Sequence, residues 1–410
     1  MVSQNLDIAI VGAGPVGLCL GRALALQGWQ VGVFEQQPLA ALAEPAFDGR
    51  EIALTHASQR LLQELGLWQR LPAGQVHPLR VARVMDRQLP RELRVQPDPG
   101  HDRLGNLVSN QLIRRAAWEQ ASATPGLELV GQCRIGAIRV GTGAVELDLG
   151  QAGQVQARLL VAADSRHSAT RRALGIQADM FDYGKSMLVC RVEHEREHHH
   201  AAWEWFGLGQ TLALLPLAEH QASAVVTLPG AEAQALAQMD PEACARELER
   251  RFGGRLGRMR LASSRHVYPL VATWARRFHG PRLALAGDAA VGMHPVTAHG
   301  FNLGLAGVER LATVLADARA QGRDPGAPAL LERYGRRHQA GCRPLFQATR
   351  AVVGLYTDDR APARLLRQAA LGLCAGLPPF RQSLARMLTD AGPVDRGGPL
   401  ARLRGVLAAS

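Results

Sequence analysis

Two hydrophobic patterns alternate along the chain: short runs that are apolar at every position, and longer stretches with apolar residues every third or fourth place. Residues 7–11, Asp-Ile-Ala-Ile-Val, are a run of the first kind and predict a short buried strand. A glycine-rich turn follows, then apolar positions to about Gln27 that predict a helix with Gly28 at its C-terminal end. A second strand, residues 30–34, ends on Glu35. Residues 50–66 predict a helix with Leu54, Leu61, Leu62 and Leu65 apolar, and residues 106–121 predict another. Residues 127–163 alternate as strands do. From about 180 to 275 the pattern changes to short β-like runs at 187–192, 202–206, 211–215 and 223–228, with a helix near 241–252. From 304 onward helical periodicity dominates.

Composition narrows this picture. A chain of 410 residues, 47% hydrophobic and 20% charged, excludes disorder, collagen and a disulfide-rich miniprotein. The net charge of +11 would suggest nucleic acid, but 46 of the 47 basic residues are arginine and Lys185 is the sole lysine, a bias of codon usage rather than of partners. Residues 331–410 carry 13 arginines and five acids, so +8 of the excess lies in the last fifth. No nucleic-acid-binding motif accompanies it. A basic surface beside an anionic membrane or acidic partner, or a plain solvated helical face, fits it better. Cys19, Cys133, Cys190, Cys244, Cys342 and Cys374 have neither C-x-x-C nor metal spacing, as in a reduced cytoplasmic protein. No uncharged apolar run has the length of a membrane span.

Two motifs carry the chemistry. In Gly12-Ala-Gly14-Pro-Val-Gly17, Gly12 permits a tight turn, Gly14 lets backbone approach a pyrophosphate, and Gly17 lets helix and strand pack closely. The helix N-terminus then faces the phosphates. Glu35 is placed to accept from ribose hydroxyls and would repel a 2′-phosphate, so the site suits FAD or NAD rather than NADP. The second motif reads Gly287-Asp288, then His294-Pro295, then His299-Gly300-Phe301-Asn302 opening a long helix, about 302–318. Asp288 can accept from a ribityl chain, and the helix start can stabilise negative charge on a reduced flavin. A nicotinamide enzyme needs no such second site, which selects FAD.

Here the chain resembles the single-component FAD-dependent aromatic hydroxylases related to para-hydroxybenzoate hydroxylase. Within them it is most similar to the branch acting on ubiquinone precursors. The motifs that carry the resemblance are Gly12, Gly14, Gly17 and Glu35, then Asp48-Gly-Arg50, Asp164-Ser-Arg166 with Ser168 and Arg171, Gly287-Asp288, His294-Pro295, and Gly300-Phe301-Asn302. It implies an α/β fold: a Rossmann-like FAD domain of the glutathione-reductase type, with an inserted β-sheet substrate domain and a helical C-terminus. The corresponding boundaries are 1–178 (with substrate-side elements at about 70–105), 179–275, 276–330 and 331–410. It further implies that Arg50 contacts the flavin pyrophosphate or the entrance above the ring, and that Asp288 binds ribitol. Pro295 and Gly300 to Asn302 would line the reacting flavin ring, and Asn110, Gln111 and Asp164 would add cofactor contacts. Two departures stand out: Ser165 replaces the usual glycine after Asp164, and His299 stands where the branch more often has glutamine.

Other clusters weigh less. His194, His198, His199 and His200 read as a solvated hairpin rather than a metal site. Trp203 and Trp205 share one strand face, with a core role expected for at least one. Residues 363–377, apolar with flanking arginines, form either a packed helix or an interfacial one that admits a lipid tail.

One dinucleotide fingerprint and no second fits a resident FAD and a visiting NAD(P)H. Resemblance then implies reaction of reduced flavin with O2 to a C4a-hydroperoxide that hydroxylates a phenol or quinol. The substrate is either a polyprenylated ubiquinone precursor or a small soluble aromatic; a flavoprotein without turnover, scaffolding a biosynthetic complex, is the reading from another class. A proton acceptor would assist, and His299 is the candidate by position. His299→Gln is expected to retain flavin and change turnover; unchanged turnover in steady-state assays would remove it as the base.

Overall fold

The structure is a computed structural model that describes residues 5–86, 92–97, 100–207, 209–294 and 299–357. Pro295 and the segment 363–377 therefore lie outside the described residues.

The fully apolar runs become the centre of a parallel sheet. Asn5–Val11 pairs in parallel with Val31–Phe34 on one side and Gln154–Ala162 on the other. Leu127–Val130 and Leu283–Leu285 extend it outward, again in parallel. Strands buried on both faces need apolar residues at every position. Ile8 and Ile10 pack with Leu20, Leu24, Leu311 and Leu315 from the helices Pro15–Leu26 and Gly300–Ala320. Ala9 and Val11 join Trp274, Phe278 and Phe346 on the other face.

A second, nine-stranded sheet covers the first. Its backbone is the long strand Ala178–His194, paired antiparallel with Gln221–Pro229 and His266–Ala275. Ala201–Gly207 and Gln210–Pro216 continue it, and Val81–Asp86 joins in parallel beside Ala201–Gly207. One face packs under the helices Gly230–Gln238 and Pro241–Arg251, where Trp203, Trp205, Leu212, Leu214 and Val226 meet Leu236, Leu248 and Phe252. Both tryptophans are thus core, their rings 5.4 Å apart edge to face.

Two helices predicted from periodicity begin later than expected. Residues 51–54 and 105–109 are strands, paired Ile52 to Val108, and the helices are His56–Glu64 and Asn110–Ser122. That pairing joins residues more than fifty positions apart, and tertiary contact overrides local propensity. Thr55, whose hydroxyl accepts from the Ser58 amide at 3.2 Å, marks the true start of the first helix. The histidine hairpin also differs: His194 and His198 are buried, and the His198 ring bonds the Ala218 and Gln221 carbonyls at 2.7 and 3.1 Å. Burial holds the His194 imidazole down at about 4, so it is neutral.

The glycine turn is the tightest point of the nucleotide sheet. A methyl group on Gly17 would lie 2.0 Å from the Gly12 carbonyl oxygen, and one on Gly12 would lie 2.5 Å from the Ala163 oxygen. Gly12 also sits at φ +107. Around Gly14, by contrast, no atom lies within 4 Å of the added methyl. Gly17→Ala is expected to lower the melting temperature and abolish flavin binding. Gly14→Ala is expected to melt as the wild-type apoprotein does, yet lose flavin. Calorimetry with flavin absorbance separates the two, and equal flavin retention in both would contradict this role for Gly14.

Candidate active site

Three separated stretches meet at the C-terminal ends of the parallel strands. The first is the glycine turn. Gly14 is the N-cap of Pro15–Leu26, with no side chain bonded over the helix end and no acid in its first turn. The orphan amides of that turn are open to an anion. Glu35 Oε2 accepts from the Ala13 amide at 2.9 Å, and Oε1 accepts from the Gln37 amide at 3.0 Å. The carboxylate is therefore fixed beside the turn, within reach of a ribose.

The second stretch is the Asp48–Arg50 loop. Arg50 pairs with Asp48 at 2.7 Å and lies 5.5 Å from the centre of the Tyr268 ring. Asn110 Nδ2 donates to Asp48 at 2.6 Å, and the Tyr268 hydroxyl donates to the Asp48 carbonyl at 2.8 Å. Desolvation works to raise the Asp48 carboxyl, but the Arg50 guanidinium and Asn110 amide outweigh it and hold it below the usual carboxylate range. Gln111 donates to the Pro45 carbonyl at 2.8 Å. The Asn110 and Gln111 amides thus shape the loop that presents Arg50.

The third stretch combines the Asp164 turn with Gly287-Asp288. Asp164 accepts from the Ser168 hydroxyl at 2.5 Å and from the Thr170 amide and hydroxyl at 3.2 and 3.1 Å. It stabilises its own turn. Ser165 there has φ +145, a conformation natural to glycine and costly for serine. Arg166 bridges the layers, donating to Asp288 at 3.2 Å and to the Val271 carbonyl of the cover sheet at 2.7 Å. Arg171, buried, donates to the Ala289 carbonyl at 2.8 Å. Gly287 adopts φ +57 with a methyl position 3.2 Å from Val16, so Asp288 is held against the glycine turn.

The helix Gly300–Ala320 starts at this junction with His299 as its N-cap. Its backbone carbonyl accepts from the Leu303 amide at 3.0 Å, and the residue is buried. Asn302 is buried and engages protein at both ends of its amide, with Thr55 N at 3.2 Å and Ala53 O at 2.8 Å. Gly300 and Phe301 are half-buried at the opening of the helix. Beside it, His294 lies edge-on to Tyr183 at 4.8 Å, and burial holds its imidazole down at about 4. In the sequence Arg166, Arg171 and Tyr268 belong to motifs without an individual role, and nothing there sets Tyr183 at the site. Nor does the sequence show the pairing of Glu51 with Arg191, 2.7 Å across the layers.

An open position at Gly14, an uncapped helix end, a fixed Glu35 and an oriented Asp288 fit the phosphates, adenosine ribose and ribityl chain of FAD. The comparisons agree. The family model described as "FAD binding domain" matches residues 5–349. Ubiquinone hydroxylase UbiM of Neisseria meningitidis is 43% identical over 95% of this chain and 85% of its own length. The 3-demethoxyubiquinol 3-hydroxylase of Escherichia coli is 30% identical over 92% and 95%. The solved p-nitrophenol 4-monooxygenase PnpA of Pseudomonas putida shares the fold, with TM-score 0.75 at 17% identity, over 94% of this chain and 99% of that one. With fold, cofactor cradle and relatives in agreement, the chain belongs to the FAD binding domain family and is an FAD-dependent monooxygenase of the aromatic hydroxylase kind.

Proposed function

We propose that this protein hydroxylates the ring of a polyprenylated phenol or quinol in ubiquinone biosynthesis. The observation that carries the reading is near full-length similarity, at 43% and 30% identity, to proteins named as ubiquinone and demethoxyubiquinol hydroxylases. Bound FAD supplies the activation of O2 that delivers one oxygen atom to an electron-rich ring.

The chain's own residues bind, orient and exclude water. Gly12 and Gly17 let turn, strand and helix close so that the open side of Gly14 would admit the pyrophosphate, Glu35 would hold the ribose, and Asp288, steered by Arg166, the ribityl chain. Arg50, clamped on Asp48 and Tyr268, stands at the cofactor entrance. The N-terminus of Gly300–Ala320, the positive end of its dipole, would favour negative charge on a flavin ring held beside it. Pro295 and His299 flank that region in sequence. With one dinucleotide fingerprint, NAD(P)H serves as a visiting donor, received near the Asp164–Arg171 turn.

The substrate's tail makes a membrane the natural place of exchange. Among the described residues no helix is long and apolar enough to cross a membrane. The proposed contact is peripheral, through the arginine-rich region after 331, and a biosynthetic protein complex is a further partner of the proposal. Binding to anionic vesicles is expected to weaken as ionic strength rises above about 0.15 M; co-sedimentation insensitive to salt, or absent, would refute the contact. For the reaction, quinone profiling of a deletion strain is expected to reveal a precursor lacking one ring oxygen. A normal profile in a strain with no redundant hydroxylase would sink the assignment.

A further inference from the structure

The loop that carries Arg50 belongs to the nucleotide layer, yet the cover sheet grips it residue by residue. Phe47 has the Arg191 guanidinium 5.0 Å from its ring centre and the His266 ring edge-on at 5.8 Å. The Asp48 carbonyl accepts from the Tyr268 hydroxyl at 2.8 Å. A methyl on Gly49 would lie 3.0 Å from the His266 ring and 3.4 Å from the Val189 carbonyl oxygen. Arg50 lies 5.5 Å from the Tyr268 ring centre, and Glu51 meets Arg191. Five consecutive residues of one layer thus touch two strands of the other, Ala178–His194 and His266–Ala275.

Glu51–Arg191 is the charged contact of this set. Glu51 Oε1 accepts from Arg191 Nε at 2.8 Å and lies 2.7 Å from Nη2. The Glu51 side chain is fully buried and that of Arg191 only 17% exposed. Water therefore screens the pair little, and parting it leaves a buried charge unpaired. Arg191 is fixed at its other end as well, where its backbone amide donates to the Ser263 hydroxyl at 2.8 Å.

Arg50 has no such anchor of its own. Its side chain is 42% exposed, and its salt partner Asp48 sits in the same loop and moves with it. On the nucleotide layer, Asn110 steadies the loop through Asp48 and through the Arg50 carbonyl, which accepts from the Asn110 amide at 2.9 Å. Glu51 is the next residue in the chain, about 3.8 Å away between Cα atoms. Where Arg191 holds Glu51 therefore decides where Arg50 stands. An arginine that meets a pyrophosphate gains affinity from being placed in advance.

We propose that Glu51 and Arg191 are positioning residues for the cofactor: they fasten residues 47–51 to the cover sheet and so hold Arg50 where FAD enters. They act through Arg50 and not by touching FAD. The inference rests on the reading above that sets Arg50 at the cofactor entrance. It makes FAD affinity a property of both layers, although Gly14, Glu35 and Asp288 all lie in one.

The test dilutes the full-length FAD-loaded protein and follows the rise in flavin fluorescence as FAD is released, with circular dichroism as the check of folding. Arg50→Ala is expected to weaken FAD binding by about tenfold, Glu51→Gln and Arg191→Leu by about as much, and Arg191→Lys by less. Glu51→Gln added to Arg50→Ala is expected to bring no further loss, because both remove one contact. Loss of one partner of a buried pair can unfold a chain, whereas apolar replacement of both is tolerated. Glu51→Met combined with Arg191→Met is therefore expected to fold as the wild type does and still hold FAD about tenfold more weakly. Wild-type affinity in that paired replacement, or a full further loss when Glu51→Gln joins Arg50→Ala, would overturn the proposal. Weakened binding in Arg50→Ala with both Glu51→Gln and Arg191→Leu unaffected rejects the pair and leaves Arg50 at the entrance. Wild-type affinity in Arg50→Ala removes Arg50 from the entrance and overturns the proposal with it.

Discussion

The structure depends on one knot of backbone contacts. Gly12 and Gly17 touch each other and Ala163 at distances that leave neither glycine space for a side chain, and Gly287 and Gly304, almost 300 residues further along, close on the Val16 side chain. A methyl on Gly17 would meet the Gly12 oxygen at 2.0 Å, and one on Gly304 would meet Val16 at 2.6 Å. Close-packed interiors accept no such overlap without moving backbone. The same closeness brings the open side of Gly14, the carboxylate of Glu35 and the carboxylate of Asp288 into one cofactor cradle. Packing and cofactor geometry are therefore a single constraint here.

Polar clasps hold the cover sheet over this cradle. Arg166 reaches from Asp288 to Val271, Tyr268 holds the Asp48 carbonyl, and Arg191 bonds Glu51 while lying 5.0 Å from the Phe47 ring centre. Glu51 has one buried oxygen without a partner among the described residues, and burial raises it to about 7 despite Arg191. Such a pair contributes little net stability, because desolvation offsets attraction, but it penalises other alignments of the two layers. A cofactor cradle whose loops are held by residues of both layers needs that alignment.

The cover sheet shows how a period of two produces function. Alternate residues on Ala201–Gly207 send Trp203 and Trp205 into a helix-covered core and leave Ala202 and Glu204 half-buried on the opposite face. The core face supplies the hydrophobic stabilisation, so the other face is free to carry polar groups where the reaction needs them.

Much of the cradle was legible in the sequence, because its parts are local. A strand, a turn with glycines at fixed offsets, a helix and an acid lie within thirty residues, and each follows from backbone sterics. The second cofactor motif was legible for the same reason. Strand pairing across long separations was not, so residues 51–54 and 106–109 read as helix until they met each other. The amides of Asn110, Gln111 and Asn302 could be located but not aimed, since their partners Asp48, Pro45 and Thr55 are distant in the chain. Nor could Glu51 be told from an ordinary strand glutamate. Its identity lies in the sequence, but its desolvation and its pairing with Arg191 arise only when the two layers meet.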